Sequence, residues 1–297
     1  MTDMSIYLGR PGDLAVIPHP RNGVQRPRTR PTAVFGTGQG TARVSTVVDG
    51  ARQYVLSWAQ LQYATYSLLE AFHQGHEGPG PFALLDPSQQ NWLLPNQASA
   101  TSVVNDTDNF SVSGSGYTLS SDATVYRRGP RSLKVAIAYA SQTGTVTLDP
   151  PTTSWYGVPV VDRDIVFSYW AKGAGSDPTV ILIPTLTWYD TAGSSLSTST
   201  GTPTVTTSAD WTQMSVTDSP PASAAYVGCS IVTSAGSISA ASVLYLDQLQ
   251  LEQGTAPGTW YPGTGVRPVQ VVSLTDSWPF RSHDLRDQVT LTLQEVV

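Results

Sequence analysis

Apolar and polar residues alternate with a period of two over most of the chain, and one stretch alone repeats at helical spacing. Ile6-Tyr-Leu and Leu14-Ala-Val-Ile17 read as opening strands. Arg21 to Pro31 is too rich in proline for a ladder and reads as a loop or arm. Two β-prone runs, 42–48 and 51–56, flank Asp49-Gly50, a dipeptide that favours a type I′ turn, so a hairpin is expected there. Ser57 and Gln60 have capping-box spacing, with Leu56 and Leu61 in the staple positions. Trp58, Leu61, Thr65, Leu68, Leu69 and Phe72 then share one helical face and Gly75 suits the C-terminal cap, which predicts a helix over 58–74. Pro81 to Pro87 reads as a short buried strand.

Seven further strands are expected over 131–137, 144–148, 164–171, 179–189, 211–216, 225–232 and 243–251, a pattern without helices that fits two packed antiparallel sheets. The chain closes on 269–274 and 288–297, the latter alternating Val289, Leu291 and Leu293 with polar residues. A closing strand needs backbone partners, and the first part of the chain offers them. The expected architecture is therefore mainly β: residues 1–97 and 265–297 form one discontinuous domain, a sandwich or barrel with one helix, and 98–264 is an inserted antiparallel sandwich. The turn-rich stretches Pro95 to Thr101 and Pro257 to Gly265 read as linkers.

Charge changes this picture in one respect. Residues 1–97 carry 7 basic and 6 acidic side chains, 98–264 carry 6 and 12, and 265–297 carry 3 and 4, so the middle segment is the acidic one. Lys134 and Lys172 are the lysines of the whole chain, and a net charge of −6 argues against nucleic acid as the main ligand. Charged residues make up 13%, against about 25% in ordinary domains, which argues against helix bundles. The single cysteine, Cys229, reads as a small core residue. Neither a basic leader nor an apolar run of membrane length is visible, so synthesis in the cytoplasm without membrane insertion is expected.

Motifs for catalysis are weak. His73-Gln-Gly-His76-Glu77 invites a metal reading, but Gly75 separates the two rings and a third well-placed ligand is lacking. Gly36-Thr-Gly-Gln-Gly40 matches neither phosphate-binding fingerprint, and no serine or cysteine sits in a nucleophile elbow. A non-enzyme is expected. Aromatics offer the better lead, because sugar rings stack apolar C–H faces on exposed Trp or Tyr. Tyr169 and Trp170 must point to opposite faces of their strand, so one of them is core. The exposed, sugar-binding set is expected to be Trp155, Tyr156 and Trp170, against the alternative that these aromatics fill the sandwich.

Gly129-Pro-Arg-Ser-Leu-Lys-Val135, Phe167-Ser-Tyr-Trp-Ala-Lys-Gly173 and Leu246-Asp-Gln-Leu-Gln-Leu-Glu-Gln-Gly254, ahead of Trp260-Tyr-Pro-Gly263, resemble a carbohydrate-binding module of the jelly-roll family found beside bacterial glycosidases and in phage tails. The resemblance covers most of 103–263. It implies no catalytic cofactor and a structural calcium, held here by Asp247 and Asp108, although the start of the module lacks the family's usual glutamate. More diffusely, 42–74, Gly78 to Pro87, Asn91 to Pro95 and the closing strand resemble the tube-forming domain of distal and minor tail proteins of phages infecting actinobacteria. That likeness implies a hexameric ring in the virion tail, contacting the tail tube protein and tail-tip hub proteins, with host surface polysaccharide as a partner of the inserted module. Such a protein would assemble in the host cytoplasm and leave by lysis. The competing expectation is a free lectin-like protein without an assembly role.

Overall fold

The alternation seen in the sequence becomes two separate β architectures in a computed structural model that describes residues 5–20, 24–25, 32–36, 42–46, 51–86, 90–101, 106–140, 142–175, 179–234, 241–277 and 284–296. In chain order the elements begin β1 (Ile6–Arg10), β2 (Asp13–Ile17), β3 (Val24–Gln25), β4 (Thr32–Gly36), β5 (Ala42–Thr46), β6 (Gln53–Gln62), α1 (Tyr63–Gln74) and β7 (Phe82–Leu85). There follow α2 (Pro95–Ala98), β8 (Phe110–Ser113), β9 (Tyr117–Asp122), β10 (Ser132–Ile137), β11 (Gly144–Leu148), β12 (Val158–Pro159), β13 (Ile165–Gly175) and β14 (Ile181–Tyr189). The last are β15 (Ser195–Thr200), β16 (Thr204–Val205), β17 (Thr212–Asp218), β18 (Tyr226–Thr233), β19 (Ser242–Gln253), β20 (Pro268–Ser277) and β21 (Leu285–Glu295). Contacts divide the chain into one unit of Met1–Arg10, Ala15–Leu84 and Arg267–Val297, and another of Leu85–Val266 with Pro11–Leu14.

The first unit is a sheet in the order β2-β1-β7-β20-β21-β6-β3. The closing strand β21 lies between β20 and β6, with Leu291 opposite Leu56 on one side and Leu274 on the other. Its buried Val289, Leu291 and Leu293 meet Ile6, Leu8, Tyr54, Leu56 and Trp58 in one core. Helix α1 contributes Tyr66, Leu69 and Phe72 to that core, Phe72 meeting Phe82 edge to face at 5.0 Å.

Two local expectations fail here for the same reason. The helix does not begin at 58: β6 runs on to Gln62 because Gln60, Leu61 and Gln62 pair with Asp287, Arg286 and Leu285. A continuous ladder outweighs a capping box worth about 1 kcal/mol, and the helix starts instead where the Tyr63 amide donates to the Asp284 carbonyl at 2.8 Å. Its end is as expected, with Gly75 in the left-handed region at φ 77°. The expected hairpin between 42–48 and 51–56 is also replaced, since β5 pairs with β4 while β6 takes β21 and β3. Asp49-Gly50 lies outside the described residues. Within the Arg/Pro-rich arm, Val24 and Gln25 do form a ladder, opposite Leu56 and Val55; the arginines of that arm lie outside the described residues.

Two polar clusters fasten this unit. Arg52 Nε and Glu295 Oε1 are 3.2 Å apart, both side chains almost fully buried, and Glu295 also accepts from the Tyr54 hydroxyl (2.8 Å) and the Arg52 amide (2.9 Å). At the start of α1 the Arg286 guanidinium lies over the rings of Tyr63 and Tyr66 (4.8 and 5.1 Å) and its Nε is 3.3 Å from Asp276, which also accepts from the Tyr66 hydroxyl. Burial, and then the Asp276 charge, raise the Tyr66 phenol above its ordinary range.

The second unit is an antiparallel sandwich. One sheet runs β17-β13-β19-β10-β9, the other β15-β14-β18-β11-β8, with β12 and β16 attached at β18 and β14. All seven expected strands are present, joined by β8, β9 and β15, whose serine-rich or short runs gave little periodic signal. Phe167, Tyr169, Leu244, Leu246, Trp188 and Ile231 are fully buried between the layers. Cys229 is buried as expected, and burial pushes its thiol far above the ordinary range. In β19 the pairing with β13 shifts by one residue between Ser168 and Trp170, and Gln248 there has φ 52°, which marks a bulge. The bulge lets Leu244 and Leu246 face the core on one side of it and Leu249 and Leu251 on the other.

The stretches read as linkers are packed parts of this unit. The Asn91 side chain donates to the carbonyls of Leu249 (3.0 Å) and Tyr261 (2.9 Å) and accepts from the Leu93 and Leu251 amides. The amides of Thr264, Gly265 and Val266 donate to Asn91, Leu93 and Trp92, so the entering and leaving passages of the chain are bonded to each other. Gly263 sits where a Cβ would lie 2.4 Å from the Leu93 carbonyl, which admits only glycine without a shift. These bonds explain why the unit begins at Leu85 and not at residue 98.

Replacing Glu295 with alanine leaves the Arg52 charge buried without its carboxylate and is expected to cost the first unit about 3–5 kcal/mol. Urea unfolding followed by tryptophan fluorescence reads this, and a loss under about 1 kcal/mol, as seen for exposed pairs, would show that the pair is not buried in solution.

Candidate functional site

Strict alternation along β13 turns Phe167, Tyr169 and Ala171 inward and Ser168, Trp170 and Lys172 to the outer face of the five-stranded sheet. Residues directly opposite in an antiparallel pair share a face, so the register lays out rows across that surface. One row reads Gln213, Trp170, Asp247 from β17 through β13 to β19. The next reads Lys172, Tyr245, Lys134, Ser120 from β13 to β9. Farther along, Ser168 and Gln250 are buried and Gln250 contacts Thr259 and Tyr261, so the rows with Trp170 and Lys172 form the open half.

The loop from Ala123 to Arg131 folds over this half and is held by two carboxylates. Asp122 Oδ1 accepts from the Thr124 hydroxyl (2.6 Å) and the amides of Thr124 and Val125 (2.7 and 3.1 Å), while its Oδ2 lies 3.7 Å from the Lys134 ammonium. Partial burial pulls the Asp122 pKa up, but the Thr124 and Val125 bonds and the Lys134 charge outweigh it and hold the group below its ordinary range. Asp247, 1% exposed, accepts the amides of Arg127 (2.7 Å) and Arg128 (2.9 Å) on Oδ2 and its own neighbour Gln248 on Oδ1. Burial pushes its pKa up to about 6 against the opposing pull of those amides and of the Arg127 charge.

Anchored in this way, Arg127 lays its guanidinium 3.5 Å above the centre of the Trp170 ring and donates to the Gln248 side chain. The result is a planar cationic layer stacked on an indole. Tyr245 lies nearly buried between the two lysines, its phenol raised by burial and by the charge of Asp122. Lys172 donates to the Ala209 carbonyl at 3.3 Å.

The three aromatics expected to be exposed are not brought together. Trp155 is 6% exposed and packs 6.5 Å from Tyr226, so it is a core residue and not a platform: its indole fills the space beside β18. Tyr156 is 48% exposed, meets Tyr226 edge to face at 5.7 Å and covers Gly193, where a Cβ would lie 2.3 Å from its ring. It therefore packs on the sandwich sheet that contains β18, while Trp170 belongs to the five-stranded one. Arg127, Lys134, Lys172 and Tyr245 were missed as site residues. The register that aligns them is a long-range property, and the one available signal was that both lysines of the chain fall on strands of the same predicted sandwich.

Asp108 and Asp247 do not fit a calcium ion. The oxygens of Asp247 face three N–H donors, the opposite of what a cation requires, and Asp108 is exposed, its amide and carbonyl bonded to Asp106 and Asn96. No group of three or more His, Cys, Asp or Glu residues suited to a metal occurs among the described residues. His73 and His76 are exposed at the end of α1.

No family model matches the chain, and no curated protein matches it. Among solved structures it is similar to the CBM22-1 xylan-binding domain of Paenibacillus barcinonensis Xyn10C, with 14% identity, 52% of this chain and 90% of that chain covered, and a TM-score of 0.38. It is also similar to the C-terminal family 22 carbohydrate-binding module of Clostridium thermocellum Xyn10B (16%, 54% and 95%, TM-score 0.40). A third similar structure is the enzymatically active domain of tailspike protein 4 from bacteriophage CBA120 (12%, 57% and 22%, TM-score 0.41).

Because Asp247 binds its proton more tightly when folded than when unfolded, this residue makes the sandwich lose stability as pH rises from about 4 to about 6. Asp247→Asn is expected to flatten that part of the curve of urea midpoint against pH. An unchanged slope in the variant would assign the dependence to another group.

Proposed function

We propose that the sandwich unit is a non-catalytic carbohydrate-binding module whose ligand lies across the open half of the five-stranded sheet. The observation that carries this reading is the stack of Arg127 on Trp170, continued in register by Gln213, Lys172, Tyr245, Lys134 and Ser120. Hydroxyls and ring oxygens of a glycan find donors and acceptors there at the spacing of neighbouring strands, on a scaffold fixed by ladder bonds.

Binding of the full chain to a panel of immobilised polysaccharides tests the site. Trp170→Ala is expected to weaken retention about tenfold or more, the loss of one stacked cation–π layer and its apolar support. If Tyr156→Ala removes binding and Trp170→Ala does not, the site lies on the sandwich sheet that contains β18 instead.

A second reading concerns the first unit and is favoured by its open edges. Among the described residues β6 is bordered by β21 along its length but on the other side only by β3, at Val55 and Leu56. At the opposite end of the sheet, β2 exposes Val16. Such edges suit pairing with further copies, in keeping with a distal tail protein forming a hexameric ring between tail tube and tip proteins of a virion, the sandwich meeting host polysaccharide. Mass measurement in solution is expected to show an oligomer that Val16→Lys weakens, and a monomer at every concentration would leave only the free lectin-like protein.

A further inference from the structure

We propose that the glycan bound at this face is anionic, with carboxylate or phosphate groups on its sugar units. This rests on the carbohydrate reading above and adds the charge of the ligand to it. Both lysines of the 297-residue chain stand in a single row, on either side of Tyr245. Two strand spacings separate their backbones, about 10 Å, a span that neighbouring units of a polysaccharide can bridge. With Arg127 they make three of the six cationic side chains of residues 98–264, a stretch that carries twelve acids, and Arg128 follows in the same loop. An acidic domain thus gathers half of its cations on the open half of one sheet face.

The acids at that face offset them only in part. Asp122 engages Lys134 at 3.7 Å, and Oδ2 of Asp247 is taken up by the Arg127 and Arg128 amides of the covering loop. Asp210 is exposed next to Ala209, whose carbonyl holds Lys172. Among the described residues no carboxylate lies within ion-pair distance of the Lys172 ammonium or of the Arg127 and Arg128 guanidiniums. Lys134 and Lys172 flank β19 from β10 and β13, and with Arg127 in the covering loop they offer a bound anion several cations at once. Arg127 adds geometry to charge: its fork lies flat on Trp170, spends one donor on Gln248 and keeps N–H groups for a planar carboxylate or a phosphate, which Lys could not recognise in the same way. A neutral sugar needs none of these charges.

Calorimetry on the full chain tests the inference with polygalacturonate, its methyl ester, dextran, a poly(ribitol phosphate) and polyglutamate. The expected result is that polygalacturonate or the phosphate polymer binds at least about tenfold more tightly than the uncharged ester, with affinity falling as salt rises from about 0.02 to 0.5 M. The double variant Lys134→Gln, Lys172→Gln should lose that preference, and Lys134→Arg, Lys172→Arg should keep it. The winning polymer identifies carboxylate or phosphate. Equal binding of the ester and the acid, or binding of dextran, abolished by Trp170→Ala, overturns the anionic ligand while the glycan site stands. Equal binding of polyglutamate also overturns it, as attraction to any polyanion. Absence of binding to all five overturns both.

Discussion

The ladder between β6 and β21 joins residues more than two hundred positions apart, and the first unit has no core without it. Leu56 and Leu291 are opposite each other in that ladder, and the two C-terminal strands β20 and β21 lie between N-terminal strands on both sides, so the buried side chains that line the sheet come from both ends of the chain. Closing so long a loop costs entropy, but the cost grows only with the logarithm of its length. It is offset in both units by bonding the outgoing passage to the returning one. In the first unit Phe82 and Ala83 pair with Val269 and Pro268, and in the second Asn91, Trp92 and Leu93 accept from Thr264, Val266 and Gly265. An insertion whose two ends are zipped together disturbs its host sheet little, whatever its own size.

Strands were legible wherever one face is wet and the other dry, because burial then writes a period of two into the residues. Val289, Leu291 and Leu293 announced β21, and Phe167, Tyr169 and Ala171 announced β13. The start of α1 was not legible, since Ser57 and Gln60 carry a valid local signal that a distant strand overrules. The hairpin around Asp49-Gly50 failed similarly, the long-range partner of β6 taking the edge a local turn would have used. Nor could the sequence show that Asn91 would satisfy the backbone at four places, since three of those partners are 158, 160 and 170 positions away.

The face of the sandwich illustrates the same limit for function. A tryptophan followed by a tyrosine in a turn-rich segment looked like an exposed pair, yet packing separates them, burying Trp155 and leaving Tyr156 outside. Trp170 was identifiable as one of two alternating aromatics. Its companions were not, because what unites Arg127 with it is the pull of Asp247 on two loop amides. A buried carboxylate here organises a surface it does not reach, converting the cost of desolvation into a fixed position for a guanidinium.

The leucines of β19 carry one more consequence. They fall at 244 and 246, then at 249 and 251, so their spacing skips a beat where Gln248 bulges. A regular strand that slips along its neighbour by two residues still finds a dry side, and such near-degenerate states compete during folding. This strand has no such freedom. Any uniform displacement against β13 moves the kink away from the point where that strand accommodates it, so that one pair of leucines or the other turns to water. The irregularity works as a ratchet pawl that leaves a single alignment available to the longest strand of the sandwich.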